Sequence, residues 1–219
     1  MYMPRLSKEL CEEIGAHIGD GSMGVYDGRY IVSFCGNKEK DYEYVKRIAG
    51  LYSKLYSIRP KIRFWSGVVG FQIFSKSVLE FKASLGLPIG KKIRIDIPAK
   101  IKESSKACIA SCLRGIFDTD GTVYLENKNH DIYPRIQLKV ASKELAESVT
   151  KLLNEKFNIR ATHYWRSENK RWRVSHYVEC RGRGNLRAWM KLIGFSNSRN
   201  LNKVSEYYKR SKRACSSAW

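Results

Sequence analysis

Two stretches decide how this chain folds: "EIGAHIGDGSM" (13–23) and "LRGIFDTDGTV" (113–123). Each is an apolar run that carries glycine and stops on Asp-Gly, although the carbonyl end of a helix already bears partial negative charge. In the first helix Cys11, Gly15 and Gly19 fall on one ridge at i, i+4, i+8, and in the second Ser111, Gly115 and Thr119 do the same. Small side chains on matched ridges let two backbones approach closely, a device also used between membrane helices. Glycine inside a helix costs about 0.5–1 kcal/mol relative to alanine. One such helix would be read as packing on its own sheet, whereas two bearing that cost at the same place favour a shared interface. Pairing them sets Asp20 beside Asp120, two like charges at two negative dipole ends. A divalent cation would offset that repulsion. Carboxylates and backbone carbonyls, those of Gly19 and Thr119 among them, suit Mg²⁺ or a similar hard ion. The plainer alternative is that each Asp-Gly is a turn into the next strand.

Outward from these motifs the whole chain repeats. The first half predicts a helix over 7–19 with Ser7 as N-cap, strand segments within 24–35, and a helix over "DYEYVKRIAGLYSKLY" (41–56) with Val45, Ile48, Tyr52, Leu55 and Tyr56 at helical spacing. Strands at 60–66 and 68–74 and a helix at 76–85 closed by Gly86 follow. The second half predicts a helix over 105–118, strands at 121–126 and 133–141, a helix over "SKELAESVTKLLNEKF" (142–157), strands at 160–167 and 171–180, and a helix at 185–193 closed by Gly194. The fold class is therefore α+β: two pseudo-symmetric αββαββα halves, 1–97 and 107–210, with a polar linker at 98–106 and a flexible tail at 211–219.

The 219 residues include 41 Lys+Arg against 21 Asp+Glu, a net charge of +20 spread along the whole length. That field favours a polyanion, nucleic acid foremost; a basic protein bound to RNA in a large assembly is the other reading, and a merely solvated surface the weakest. No run of 18 apolar residues is present and the N-terminus lacks an apolar signal core, so an intracellular, non-membrane protein is expected. Six cysteines are too sparse for a disulfide scaffold and read as small core residues in a reducing compartment. Cys108 and Cys112 lack the further ligands of a zinc set. No Ser-His-Asp or Cys-His pattern is suggested, which disfavours covalent catalysis.

"EIGAHIGDG" (13–21) and "LRGIFDTDG" (113–121) resemble the two copies of the LAGLIDADG motif in monomeric homing endonucleases. The first keeps Gly-x-x-x-Gly-Asp-Gly, the second Gly-x-x-Asp-x-Asp-Gly, and the order of elements fits over nearly the whole chain. The resemblance implies a monomeric, site-specific double-strand DNA endonuclease whose motif helices pack at the centre and whose two antiparallel sheets form a saddle over the major groove. It implies that Asp20 and Asp120 are catalytic and bind Mg²⁺ or Mn²⁺, that Ca²⁺ supports binding without cleavage, and that the products carry 3′ overhangs. "GLPIGKK" (86–92) resembles the family segment that carries a basic active-site residue, which puts that role on Lys92. Its counterpart in the second half is Asn200, leaving Arg199 or Lys203 as substitutes. Lys38 and Lys143 stand at matching strand-to-helix corners, where they approach the scissile phosphates or are simply solvated helix starts. His17 stands where the motif is usually aliphatic and is expected to tuck against its own half.

Recognition falls to the strands. Arg29 opens "RYIVSFCG" (29–36); Arg59, Lys61 and Arg63 recur at spacing two, with Gln72 beyond them; and Arg135, Gln137 and Lys139 recur likewise in the second half. Arg166, Lys170, Arg171, Arg173, Arg181 and Arg183 add further donors, with Arg199. Arg and Gln read guanine and adenine edges, and Lys more often meets phosphate. A ten-residue strand spans ~33 Å, about ten base pairs, so two unlike halves imply an asymmetric site of roughly 20 base pairs. Trp65, Trp165 and Trp172 are expected in the core or at sheet edges. Two rivals stay open: a maturase acting on its own intron RNA, and a non-catalytic, sequence-specific DNA-binding regulator on the same scaffold, which could lose either acid freely.

Overall fold

The structure, a computed structural model, describes residues 3–128, 131–167 and 174–216. Helix α1 (Lys8–Asp20) starts on Ser7, whose hydroxyl accepts a hydrogen bond from the Leu10 amide at 3.2 Å; such a cap stabilises by roughly 0.5–2 kcal/mol. The hairpin of β1 (Gly21–Tyr26) and β2 (Arg29–Asn37) turns at Asp27 and Gly28, both at positive φ, as a two-residue hairpin turn demands. α2 (Tyr42–Tyr56), β3 (Arg63–Trp65), β4 (Val68–Phe74) and α3 (Lys76–Ser84) complete the first half, and one short turn, α4 (Ala99–Lys102), lies between the halves. The second half repeats the order as α5 (Lys106–Thr119), β5 (Gly121–Lys128), β6 (Asp131–Val140), α6 (Lys143–Phe157), β7 (Ala161–Arg166), β8 (Ser175–Arg181) and α7 (Arg183–Leu192). The two antiparallel sheets have the equivalent orders β1-β2-β4-β3 and β5-β6-β8-β7. The expected α+β class of two pseudo-symmetric αββαββα halves is the fold observed.

Two elements differ from expectation. The strand expected over 60–66 is confined to Arg63–Trp65, so Arg59 and Lys61 precede the strand instead of sharing its face. Pro60, which has no amide hydrogen to give to a ladder, accounts for the late start. A 19-residue helix, α8 (Ser198–Ser216), follows α7 and runs past residue 210. Among its described side chains the buried apolar ones are Val204 and Tyr207, too few to read as a helical period, and the helix packs on β5 and β6.

Alternate strand residues build the core beneath each sheet: Val32, Phe34, Val69, Phe71 and Ile73 in the first, and Val123, Ile136, Leu138, Val178 and Cys180 in the second. Helices α2, α3, α6 and α7 cover these inner faces and leave the outer faces open as a saddle. At the centre α1 and α5 touch backbone to backbone. A Cβ added to Gly15 would lie 2.9 Å from the carbonyl carbon of Cys112, and one added to Gly115 would lie 2.6 Å from the amide nitrogen of Ala16. Both obstacles are main chain, so only glycine permits the contact.

Buried charges also tie the elements together. Glu12 accepts from Arg47 in the first half (2.8 and 3.0 Å) and from Arg114 in the second (2.7 Å). Glu13 accepts from Lys82 and, at 2.8 Å, from the Tyr56 hydroxyl, all three being buried. Each half also docks on a helix corner of the other. Asn197 donates to the carboxylate of Asp41, the N-cap of α2, at 2.8 Å. Ser142, the N-cap of α6, donates to the carbonyl of Ile95 at 2.6 Å.

Candidate active site and nucleic-acid face

The small-residue ridges bring the ends of α1 and α5 together. A Cβ on Gly19 would stand 2.6 Å from the Thr119 Cβ and 3.1 Å from Asp120 Oδ2. Thr119 can occupy this buried seam because its hydroxyl donates back to the carbonyls of Gly115 and Ile116, at 3.1 and 2.8 Å. Asp20 ends α1 half-buried, and burial pushes its carboxyl up to about 7, with Asp120 and then Asp41 adding repulsion and Lys92 and Arg199 opposing. Asp120, the C-cap of α5, is more open to solvent. Desolvation by the surrounding protein raises it to about 6, against Lys92 and Arg199.

A cation stands on each helix end. Lys92 Nζ donates to the carbonyls of His17 (3.3 Å), Ile18 (2.9 Å) and Gly19, which complements the negative end of α1. Burial lowers its pKa, opposed by Asp120 and Asp20. Arg199, in the first turn of α8, does the same for α5: Nη2 donates to the Thr119 carbonyl at 2.8 Å and the Asp118 carbonyl at 3.3 Å. Asn200, the residue aligned with Lys92, is fully buried and donates to the carbonyls of Phe117 and Gly121 at 3.1 and 3.4 Å. Lys203 pairs with Glu206 on the surface at 3.1 Å. The shift from 200 to 199 follows from α8: successive residues of a helix point ~100° apart, so Asn200 turns inward onto Phe117 and Gly121 while Arg199 reaches the last carbonyls of α5, those of Asp118 and Thr119.

Among the described residues no cluster of three or more His, Cys, Asp or Glu could hold a metal. The pair Asp20 and Asp120 still fits a hard divalent ion, because burial holds both acids above their ordinary range even against Lys92 and Arg199, Asp120 adds repulsion at Asp20, and carboxylate and carbonyl oxygens stand together at the two helix ends. His17 is wholly buried with its imidazole over Gly21, and burial drives its pKa well down.

The first acid of "FDTDG", Asp118, is a further functional residue, not among those expected from the motifs. It is buried and accepts from the amides of Ser196 (2.8 Å) and Asn197 (3.1 Å), fixing the loop that carries Arg199. Burial pushes it up to about 7, opposed by those two bonds. Its signal was a second carboxylate on the same helix end, two residues before the motif acid.

The outer faces of the sheets carry equivalent rows, stepping away from the acids. The first is Cys35, Gly70 and Arg63 against Lys139, Tyr177 and Tyr164; the second is Ser22, Ser33 and Gln72 against Thr122, Gln137 and Glu179; the third is Gly24, Ile31 and Phe74 against Tyr124, Arg135 and Arg181. A groove of about 530 Å³ runs from Asp120 along the second set. There Tyr164 and Tyr177 stack at 5.1 Å, Lys139 lies 5.5 Å from the Tyr177 ring and Arg166 lies 5.3 Å from the Tyr164 ring. Glu179 was not picked out from sequence. Burial pushes its carboxyl up, but hydrogen bonds from Arg181 and Arg135 outweigh this and hold it below its ordinary value.

Arg59, Lys61, Arg63 and Gln72 line a second groove of about 520 Å³ on the first half. Arg29 is exposed where the hairpin turns into β2, Lys38 is exposed at the β2–α2 corner, and Lys143 is exposed in the first turn of α6, 3.4 Å from Glu147. Arg183 opens α7, two residues beyond the end of β8. Lys170, Arg171, Trp172 and Arg173 lie outside the described residues. Trp65 and Trp165 sit on the edge strands β3 and β7, 42% and 64% exposed, so they belong to sheet edges and not to the core.

Residues 107–194 match the family model of the LAGLIDADG-like domain. The replication factor C small subunit of Methanocaldococcus jannaschii is 31% identical over 206 residues, 93% of this chain and 10% of that protein. The tRNA-splicing ligase RtcB of Pyrococcus abyssi is 27% identical over 209 residues, 88% of this chain and 22% of that protein. The chain therefore spans about a tenth of one curated relative and a fifth of the other. I-DmoI in complex with DNA and Mn shares the fold, with a TM-score of 0.61 at 16% identity over 87% of this chain and 98% of that one. No helix among the described residues is long and apolar enough to cross a membrane. With the family model over its second half, the same motif helix in its first and the same fold throughout, the chain belongs to the LAGLIDADG family and carries both motif helices in one polypeptide.

Proposed function

We propose that the chain is a site-specific, divalent-metal-dependent double-strand DNA endonuclease of the homing type, acting as a monomer on a long asymmetric target. The observation that carries this reading is the meeting of Asp20 and Asp120 on the ends of two crossing helices, each end held by its own cation. The carboxylates, with the carbonyl oxygens of Gly19 and Thr119, would hold Mg²⁺ or Mn²⁺. When bound, such an ion supplies charge neutralisation at the phosphate and eases activation of water.

The chain's own residues do the rest. The α1–α5 contact fixes the separation of the two acids, so one strand is attacked at each. Lys92 and Arg199 offer positive charge to the phosphate as it gains negative charge. Lys92 Nζ, its pKa lowered by burial, is suited to hand a proton to the departing oxygen, whereas the Arg199 guanidinium keeps its protons and acts by charge alone. The rows of Arg, Lys, Gln and Ser on both outer faces would read the duplex, with Lys38 and Lys143 at the corners toward the phosphates. The curated relatives are named for replication and for tRNA splicing. The matched segment is about a tenth of one and a fifth of the other, so neither activity is assigned to this chain. Intact acids favour cleavage over a regulator, and nothing in the site favours intron RNA.

The test is selection from a randomised duplex library, for cutting with Mg²⁺ and for binding with Ca²⁺. Asp20→Asn or Asp120→Asn is expected to abolish double-strand cleavage and leave binding largely intact. Binding should fall steeply with salt, as for any interface that neutralises many phosphates. Substantial cutting by the double variant would refute the assignment.

A further inference from the structure

Resting on the nuclease reading, we infer that Glu179 is a positioning residue for sequence readout, which fixes the donors of Arg135, Gln137 and Arg181 against the DNA half-site under the second sheet. An acid on a surface that faces a polyanion is electrostatically misplaced unless it does something else. Glu179 points to the outer face yet is 1% exposed, covered by the groups it binds. Its carboxylate accepts from Arg135 Nη1 at 2.8 Å, Gln137 Nε2 at 3.0 Å and Arg181 Nε at 2.5 Å. Its counterpart in the first sheet is Gln72, exposed, with Ile31 and Phe74 where the second sheet has Arg135 and Arg181. The acid is present only where the cations are.

The hydrogen-bond inventory then sets what each donor can read. A carboxylate accepts only, so Gln137 must turn its amide nitrogen toward Glu179. That nitrogen also donates to the Tyr164 hydroxyl at 3.1 Å, so both its hydrogens are used. What remains to Gln137 is Oε1, an acceptor, which selects a base offering an exocyclic amine in the major groove, adenine or cytosine. Arg135 is held by Glu126 as well as Glu179 and serves as a strut. Arg181, bound along one edge and half exposed, keeps free N–H groups that suit guanine O6 and N7. The Gln137 and Arg181 rows are two residues apart along the strands, ~6.8 Å, so the two preferences should fall about two base pairs apart.

The experiment compares cut-site profiles selected by the native chain, by Glu179→Gln and by Glu179→Gln with Arg135→Met, which also removes the buried cation that has lost one of its two acids. The expected result is a loss of preference of about 10-fold at the amine-bearing and guanine positions of that half-site, with the other half-site unchanged. Affinity for random duplex should not weaken, because Glu179→Gln raises the net charge by one. An unchanged profile overturns the inference, and so does a loss spread evenly over both half-sites with a lower melting temperature, the mark of a merely structural role. If the native chain neither binds nor cuts duplex DNA, the nuclease reading itself fails, and this inference with it.

Discussion

Gly115→Ala tests the helix contact on which the site depends. The added methyl would press on the Glu12 carbonyl oxygen and lie 2.6 Å from the Ala16 amide nitrogen, where ordinary contact begins at 3.4 Å, so the helices must part by at least about 0.8 Å. The obstacle is the backbone of the other motif helix, which has no rotamer to turn aside. Overpacking of this kind costs about 1–3 kcal/mol, and the better helix propensity of alanine returns about 0.5–1 kcal/mol. A net loss of about 1–2 kcal/mol should lower the melting temperature by about 2–8 °C in a chain of this size. The effect on chemistry should be larger. Asp120 lies on the same helix end, and a misplacement of about 1 Å can cost about 100-fold in rate. Calorimetry and single-turnover cleavage of a selected duplex measure both quantities. Gly50→Ala, on the exposed face of α2 with nothing within 4 Å of the added methyl, is the control and should gain about 0.5–1 kcal/mol. A Gly115→Ala protein that melts no lower than the native chain and cuts at full rate would refute the close-contact argument.

Lys82→Met leaves the Glu13 carboxylate buried without its ion-pair partner and should destabilise by about 3–5 kcal/mol in urea melts, while adding Glu13→Leu should restore much of that. Asp20 near 7 and Asp120 near 6 compare with 3.8 for an unperturbed aspartate. The folded chain thus binds more protons than the unfolded one in that window, and its metal-free stability should fall as pH rises from about 4 to about 7. A divalent ion competes for the same oxygens, so the rise in melting temperature on adding Mn²⁺ should grow between about pH 5.5 and about pH 8; a shift independent of pH would contradict the shared site. Arg199→Met should slow cleavage as Lys92→Met does, while Lys203→Met should stay within about twofold of the native rate, measured on the same duplex. Equal losses at 199 and 203 would remove the case for Arg199.

Features that depend on neighbours in the chain were legible before the structure. Ser7, the Asp-Gly ends, and the glycines of "EIGAHIGDG" and "LRGIFDTDG" announce themselves by local chemistry, and duplication made each half a check on the other. Features set by tertiary contact were not. Aligning "LGLPIGKK" (85–92) with "IGFSNSRN" (193–200) set Asn200 opposite Lys92 and left Arg199 and Lys203 as substitutes; only the start of α8, which turns Asn200 into the core, decides for Arg199. Lys82 looks like any surface lysine until α3 packs over Glu13. Arg181 is two residues along β8 from Glu179, but Arg135 and Gln137 reach it only through the pairing of β6 with β8. Arg59 and Lys61 had the right spacing for a strand, and Pro60 between them was the warning against it.

The reciprocal docking of loop on corner, Asn197 on Asp41 and Ser142 on the Ile95 carbonyl, bears on how such molecules can be recombined. A hybrid joined at the connecting segment would separate each loop from the corner that receives it. Grafting a foreign first half onto residues 107–216 therefore requires the graft to bring an acceptor at position 41 and a carbonyl presented as at Ile95. Modularity in this architecture is bounded by four residues that lie outside both motif helices.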